Sequence, residues 1–107
     1  ILSVTSAACD EGRARRYTVY GQVFFASADR FSKVFDYQEV IDKVYIDVSR
    51  AHFWDITAVS ALDKIVIKFR REGTEVKVIG MNEASATLVD KFAIHDKDGA
   101  DDMLLDH

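Results

Sequence analysis

The alternation of strand-like and helix-like segments is the feature that most constrains how this chain can fold. The clearest strand covers residues 43–49, where β-branched and aromatic residues alternate with polar ones. The segment that begins at Asp55 instead places apolar residues at helical spacing as far as Arg70, shortly before Gly73. A strand, a helix and a further strand in succession predict parallel strands with helices packed on the sheet.

The remaining segments extend this alternation to the order β-β-α-β-α-β-α. Strand-like stretches cover 2–8, 17–20 with an extension to 25, and 75–79, and Gly21 marks a bulge or bend. The predicted fold is α/β, a small mixed sheet of about four to five strands whose first pair is antiparallel. The predicted N-caps of the three helices are Ser27, for a helix to about Tyr37, then Asp55 and Asn82. The apolar stripe predicted for the second helix comprises Ile56, Val59, Leu62, Val66 and Phe69.

The size and charge of the chain indicate one domain with an acidic tail. Its 107 residues suffice for one core, and a 49% hydrophobic composition is that of a globular protein. Residues 96–107 contain five Asp and one Lys, so they carry the whole net charge of −4 and leave residues 1–95 neutral. We therefore expect a single domain over 1–95 and a tail over 96–107. A neutral body with an acidic tail argues against nucleic-acid binding.

Most catalytic and metal-binding motifs are missing from the sequence. It contains no Gly-rich phosphate-binding loop, and its single cysteine, Cys9, excludes an internal disulfide and a Cys-rich zinc site. His52 and His95 could meet at one end of the sheet, although two surface histidines is the plainer interpretation. Residues 96–99 begin like a calcium loop, but the glycine falls at the wrong position. We therefore expect no enzyme activity, no cofactor and no metal, and no apolar run is long enough to span a membrane.

The start of the second helix is the most informative stretch. Asp55 would cap this helix, and Thr57 would place a hydroxyl beside its free N–H groups and the positive end of its dipole. An anion or a phosphorylated hydroxyl would be stabilised there, so Asp55, Thr57 and Ala58 form a candidate phosphoacceptor or anion site. The plainer interpretation, which the physics alone favours, is an ordinary N-cap followed by a first-turn hydroxyl.

Three residues just before this helix are a candidate interaction surface. His52, Phe53 and Trp54 are expected in a loop between a strand that ends near Ser49 and the cap at Asp55. An exposed apolar patch of this kind would bind a partner. The commoner outcome for Phe53 and Trp54 is a hydrophobic staple or a lid on the core.

Two stretches of the sequence carry a family pattern. The first is Ile46-Asp47-Val48-Ser49 and, after a short loop, Asp55-Ile56-Thr57-Ala58; the second is residues 21–31, GQVFFASADRF. Together they resemble the STAS domain, a module shared by sulfate transporters and anti-sigma-factor antagonists, and the second is similar to the sulfate permease (SulP) branch. Members typically show D-[LV]-S and then D-S-[ST]-G, so Ile56 and Ala58 depart from the family pattern.

The resemblance implies a regulatory role. It implies a C-terminal domain, on the cytoplasmic face of the inner membrane, of a transporter for sulfate or a related inorganic anion. It also implies that the fragment itself is soluble and is not inserted in the membrane. The implied partners are the transmembrane domain of the parent transporter or a regulatory protein, with a kinase as a further candidate. Because the chain begins with Ile1 rather than Met, we expect a longer parent protein. The alternative is a free-standing anti-sigma-factor antagonist switched by phosphorylation at Thr57.

Overall fold

Among the residues that the structure describes, four strands form one sheet in the order β1-β2-β3-β4, so their order in space follows their order along the chain. The first pair is antiparallel, and the other two pairs are parallel. The computed structural model describes residues 1–86 and 88. The predicted element order and mixed sheet are confirmed. The elements are β1 (Ser3–Cys9), a 3₁₀ turn (Asp10–Gly12), β2 (Ala14–Val23), α1 (Ala28–Lys33), β3 (Lys43–Phe53), α2 (Ile56–Arg71), β4 (Glu75–Ile79) and α3 (Met81–Ala84).

Alternate side chains of the central strands form one apolar core with α1 and α2. Tyr17 of β2 packs on Phe35, and Phe53 of β3 packs on Phe31 of α1, with ring centroids 4.7 Å and 6.0 Å apart. Burial of a large apolar side chain contributes about 1.5–3 kcal/mol. This core therefore holds both helices against one face of the sheet. The largest fully buried side chains are Phe31, Phe53, Phe69, Ile46 and Ile65.

A β-bulge in β3 changes which side chains face the core. The register with β2 shows one extra residue in β3 between Asp47 and Arg50, rather than a bulge at Gly21. The buried apolar positions of β3 consequently change from even to odd numbers. The strand continues to Phe53, so the prediction that it ends near Ser49 was wrong. The bulge interrupts the alternation, and in the sequence such an interruption looks like the end of a strand.

The ends of α2 match the prediction, whereas its buried face is rotated. Asp55 is the N-cap, and Gly73, just after the C-cap, has a φ of +84°. Ile56 is 60% exposed although it belongs to the predicted stripe. Hydropathy predicts a face of large apolar residues, but the buried face of α2 also includes the small residues Ala58 and Ala61. The buried residues of α2 are Ala58, Ala61, Leu62, Ile65 and Phe69, and Val59 and Val66 are partly buried.

The first helix is shorter than predicted, since it ends at Lys33 rather than near Tyr37. A longer helix would bond the Asp36 N–H to the Ser32 carbonyl. Instead, the Tyr17 hydroxyl accepts the Asp36 N–H at 3.1 Å, and the Tyr37 hydroxyl donates to the Ser32 carbonyl at 2.7 Å. Two tertiary hydrogen bonds thus take the place of the next helical turn.

The third helix begins earlier than predicted because its N-cap is Gly80, not Asn82. Gly80 has a φ of +80°, and a Cβ placed on it would lie 2.4 Å from the Ser49 Cβ. The chain therefore turns directly from β4 into α3 against the bulge of β3. The predicted continuation of this helix to Phe92 and the tail over 96–107 lie outside the described residues.

Candidate functional site

The Asp55 side chain joins the loops that follow β2 and β3. One carboxylate oxygen accepts the Ala58 N–H at 2.9 Å and caps α2, and the other accepts the Phe25 N–H at 2.9 Å. The same loops are tied by a bond from the Trp54 N–H to the Val23 carbonyl at 3.0 Å. The predicted cap at Asp55 is thus confirmed, and it also orders the carboxyl edge of the sheet.

Thr57 lies in the first turn of α2 with an exposed side chain, while the adjacent Ala58 is fully buried. Of these two predicted site residues, only Thr57 can be reached from solvent. A negative charge attached there would be stabilised by the N-terminal end of the helix dipole by about 0.3–1 kcal/mol. The nearby carboxylate of Asp55 opposes this effect. The hydroxyl of Thr57 is therefore available for modification, whereas Ala58 has a packing role.

A groove between α1 and α2 opens beside Thr57. It has a volume of about 460 Å³. Its walls combine three hydroxyl groups with one acidic and one basic side chain, so it offers hydrogen bonds without a strong preference for charge. The lining residues are Ala28, Asp29 and Ser32 from α1 and Ile56, Thr57, Ser60, Ala61 and Lys64 from α2.

Two exposed apolar side chains flank this site, and the sequence predicts other environments for both. Phe25 is 72% exposed and lies in the loop after β2, although the sequence placed it in a strand. Ile56 is also exposed, although it was expected in the core. Hydropathy predicts burial for both residues. The sequence signal for exposure of Phe25 is that the Phe24-Phe25 pair ends a strand pattern just before a helix cap.

The predicted interaction surface of His52, Phe53 and Trp54 is not brought together on one face. His52 is exposed at the end of β3, and its ring lies 6.5 Å from that of the half-buried Trp54. Phe53 is fully buried and packs on Phe31, so its assignment to a surface was wrong. The physical reason is the bulge, which turns Phe53 inward and leaves only Trp54 and Asp55 between β3 and α2.

The Asp47-Val48-Ser49 stretch stabilises the bulge. Asp47 accepts hydrogen bonds from the Ser49 hydroxyl at 2.6 Å and the Ser49 N–H at 3.0 Å, and from Arg16 at 2.6 Å. The Ser49 hydroxyl, together with the Ser49 N–H and Arg16, lowers the pKa of the Asp47 carboxyl, although burial partly opposes this. Asp47 is thus a buried, ionised clamp that positions the end of β3 and, through it, Asp55.

The described residues show neither a metal centre nor a membrane span. Within 1–86 and 88, no three His, Cys, Asp or Glu side chains are grouped so as to hold a metal ion. No helix in that part of the chain is both long and apolar enough to cross a membrane. Cys9 is a half-buried free thiol at the end of β1. His95 and the calcium-like segment 96–99 lie outside the described residues.

A model of the STAS domain family matches residues 10–101. The chain belongs to the STAS domain family. A curated relative, the putative sulfate transporter YbaR of Bacillus subtilis (strain 168), is 45% identical over 92 residues, which are 86% of this chain. The chain spans 19% of the length of that relative.

Two solved STAS domains are also similar to this STAS domain. One, from Rhodobacter sphaeroides and described as an antisigma-factor antagonist, is 57% identical, with a TM-score of 0.78, over 80% of this chain and 94% of that one. The other, from a SulP transporter of Vibrio cholerae, is 25% identical, with a TM-score of 0.50, over 78% of this chain and 62% of that one. STAS domains are regulatory or interaction domains, and this one is related to both the transporter and the antagonist groups.

Proposed function

We propose that this STAS domain is a non-catalytic regulatory and interaction domain of a transmembrane transporter for sulfate or a related inorganic anion. It would lie at the cytoplasmic face of the inner membrane and bind the transmembrane domain of its parent protein or a regulatory protein. The observation that carries the proposal is the grouping of the Thr57 hydroxyl with exposed Phe25 and Ile56 at one edge of the sheet, held together by Asp55.

The two apolar side chains supply the binding energy in this proposal. Burial of Phe25 and Ile56 under a partner would contribute about 1.5–3 kcal/mol each. The Asp55 carboxylate accepts the Phe25 N–H of the loop after β2 and the Ala58 N–H of α2, which fixes the backbone that carries these side chains before a partner arrives. Less conformational entropy is therefore lost on binding than at a loose loop.

Thr57 supplies the switch. Phosphorylation by a kinase would add a charge of about −1.5 to −2 next to these apolar side chains. A partner that buries the apolar side chains would then also have to desolvate the phosphate, so its binding would be weakened. We favour a covalent phosphate over a bound anion, because the Asp55 carboxylate already lies at this helix start, where one of its oxygens accepts the Ala58 N–H. A free anion would meet that negative charge without a covalent bond to hold it.

The transporter assignment is supported by the 45% identity to a putative sulfate transporter. A second candidate, a free-standing anti-sigma-factor antagonist, is favoured by the 57% identity to the Rhodobacter sphaeroides domain, of which this chain covers 94%. Both candidates use the same surface, and they differ in what binds to it. In the antagonist, an anti-sigma factor with kinase activity would take the place of the transmembrane domain.

Sulfate uptake by cells that express the full-length natural protein tests the leading proposal. We expect Phe25→Ser and Ile56→Ser to change uptake by at least about fivefold, the lower end of usual coupling between two sites. The matched control is Val40→Ser, since Val40 is 99% exposed and lies outside the site. Unchanged uptake in both variants, at equal abundance in the membrane, would contradict the proposal.

The full gene separates the two candidates. A run of apolar membrane spans encoded upstream of Ile1 would support the transporter, and its absence would support the antagonist. For the antagonist we also expect Thr57→Ala to abolish phosphorylation by its kinase partner. Phosphate incorporated elsewhere in the Thr57→Ala protein would reject the assigned phosphoacceptor.

A further inference from the structure

A second groove lies between α1 and α2. It adjoins the groove already described, on the side away from Thr57. It has a volume of about 340 Å³ and shares Ser32 and Lys64 with the first. We call it the basic groove. Among the described residues that line it, three carry cationic side chains and none carries a carboxylate. Its lining residues are Ser32, Tyr37, Lys64, Ile65, Ile67, Lys68 and Arg71.

The cations of the basic groove are available to a ligand. Among the described residues, no carboxylate forms a salt bridge with Lys64, Lys68 or Arg71. The Lys68 ammonium lies over the Tyr37 ring at 4.7 Å, and the N–H groups that point away from the ring can still donate to a further partner. The three cations outweigh the partial negative charge, about half a unit, at the C-terminal end of the α2 dipole.

The basic groove also has an apolar component. Ile67 is 46% exposed beside these cations, and the Tyr37 ring forms part of the wall. A ligand that uses the whole groove would combine several negative charges with aliphatic side chains. A small inorganic anion would pair with the cations but leave Ile67 exposed.

Residues 96–107 of this chain have that composition. They contain five Asp, one Lys and the aliphatic run Met103-Leu104-Leu105. From these two complementary compositions we propose that the acidic tail, residues 96–107, binds the basic groove of its own chain. The Asp side chains would pair with Lys64, Lys68 and Arg71, and the aliphatic run would cover Ile67.

The chain between the last described residue and the tail is comparable in length with α2. Leu88, the last described residue, is eight residues before Asp96, a separation of at most about 26–29 Å when extended and about 20 Å when the predicted helix continues to Phe92. The sixteen residues of α2 are about 24 Å long. A tether of this kind gives the tail an effective concentration of order 1 mM, so even a contact with a dissociation constant near that value would be occupied about half of the time.

Paramagnetic broadening in the full chain tests the proposal. A spin label is attached at His107→Cys in a Cys9→Ser background, which leaves all five tail Asp residues in place. At low ionic strength we expect the amide signals of Ile67, Lys68 and Arg71 to lose most of their intensity. At about 1 M salt, where the Debye length is about 3 Å, we expect most of this loss to be reversed.

Charge reversal provides the matched control. Lys64→Glu with Arg71→Glu should abolish the broadening, whereas Arg70→Glu with Lys77→Glu, which reverses as many charges outside the groove, should preserve it. If the groove variant does not fold, Asp101→Asn with Asp102→Asn in the tail should reduce the broadening instead.

Three results would overturn the proposal. The first is an absence of broadening at the groove, and the second is broadening that survives the groove or tail variants. The third is broadening seen only between separate spin-labelled and isotope-labelled chains, which would mean that the occupant is a second copy. The proposal does not involve Phe25, Ile56 or Thr57, so its failure is distinguishable from failure of the proposed function.

Discussion

At the scale of single residues, the candidate site depends on a change from surface to core between Thr57 and Ala58. Successive helical residues point about 100° apart, so the side chain of Thr57 reaches solvent while that of Ala58 meets the core. Both positions belong to the sequence motif, but a motif does not state which of its residues is accessible. The consequence is that similar substitutions at the two positions have different effects.

We expect Thr57→Asp to leave the melting temperature within about 4 °C of the parent, because a first-turn carboxylate interacts favourably with the helix dipole. Ala58→Asp, the adjacent control, should destabilise the domain by at least about 3 kcal/mol, since it overpacks the core and buries a charge. Thermal unfolding followed by circular dichroism measures both. A melting temperature lowered by more than about 8 °C in Thr57→Asp would mean that the Thr57 side chain has a structural role, and it would contradict the proposed switch at this residue.

Asp47 should make the domain sensitive to acid. The pKa of Asp47 is lowered in the folded state, mainly by the Ser49 hydroxyl. The ionised carboxylate therefore stabilises the fold fully above the ordinary Asp pKa near 4. This stabilisation is lost as the pH falls through the lower pKa of the folded state. We expect Asp47→Asn to cost about 1–3 kcal/mol at pH 7 and to make the acid limb of stability shallower. Urea unfolding at several pH values checks this.

The control for Asp47 is Asp29→Asn. Asp29 forms an exposed ion pair with Lys33 at 2.9 Å. Its replacement should change the free energy of unfolding by no more than about 0.5 kcal/mol. An equal loss in both variants would show that the bulge clamp contributes nothing beyond an exposed charge.

At the scale of elements, β3 decides where the site is. The strand carries an extra residue and continues to Phe53, so that only Trp54 separates it from the α2 cap at Asp55. The sequence predicted the strand, the helix and the cap because each follows from a local periodicity or a local hydrogen bond. It did not predict the bulge, because that depends on pairing with β2 and on the contacts of Ser49 with Asp47 and Gly80.

We expect Gly80→Ala to destabilise the domain by several times the effect of Gly73→Ala. Both glycines have a positive φ, but a Cβ on Gly80 would lie 2.4 Å from the Ser49 Cβ, while a Cβ on Gly73 would meet no atom of the described residues within 4 Å. Gly73→Ala should therefore cost only about 1 kcal/mol of backbone strain. Denaturant unfolding compares the two variants. Equal losses would show that α3 does not depend on this close approach to β3.

At the scale of the whole molecule, a cluster of aromatic rings connects β2, α2 and the segment after α1. The Tyr37 and Phe69 ring centroids lie 4.8 Å apart, and Tyr17 contacts both Phe35 and Phe69. These residues are distant in sequence. The cluster closes the end of the core that lies away from Thr57, so the two ends of the α1–α2 interface can serve different purposes.

This cluster predicts a loss of stability in alkali. Burial raises the pKa of Tyr37 to about 12, so the folded state holds this proton more tightly than the unfolded state, whose tyrosine titrates near 10. The contribution of Tyr37 is therefore complete below about pH 10 and is lost as the pH rises towards about 12. We expect Tyr37→Phe to lose about 1 kcal/mol at pH 7, with the hydrogen bond to Ser32, and to show a shallower alkaline limb. An unchanged alkaline slope in Tyr37→Phe would contradict the burial of this hydroxyl.

The sequence by itself determined the class of fold, the order of the elements, the cap at Asp55 and the position of the Thr57 hydroxyl in a helical first turn. All of these follow from interactions between residues close in the chain, which periodicity and side-chain chemistry reveal. Only the tertiary structure decided that Phe53 is buried, that Phe25 and Ile56 are exposed, and that the first helix stops at Lys33. Each of those outcomes depends on strand register or on a hydrogen bond between distant residues, and such partners are chosen only when the core packs.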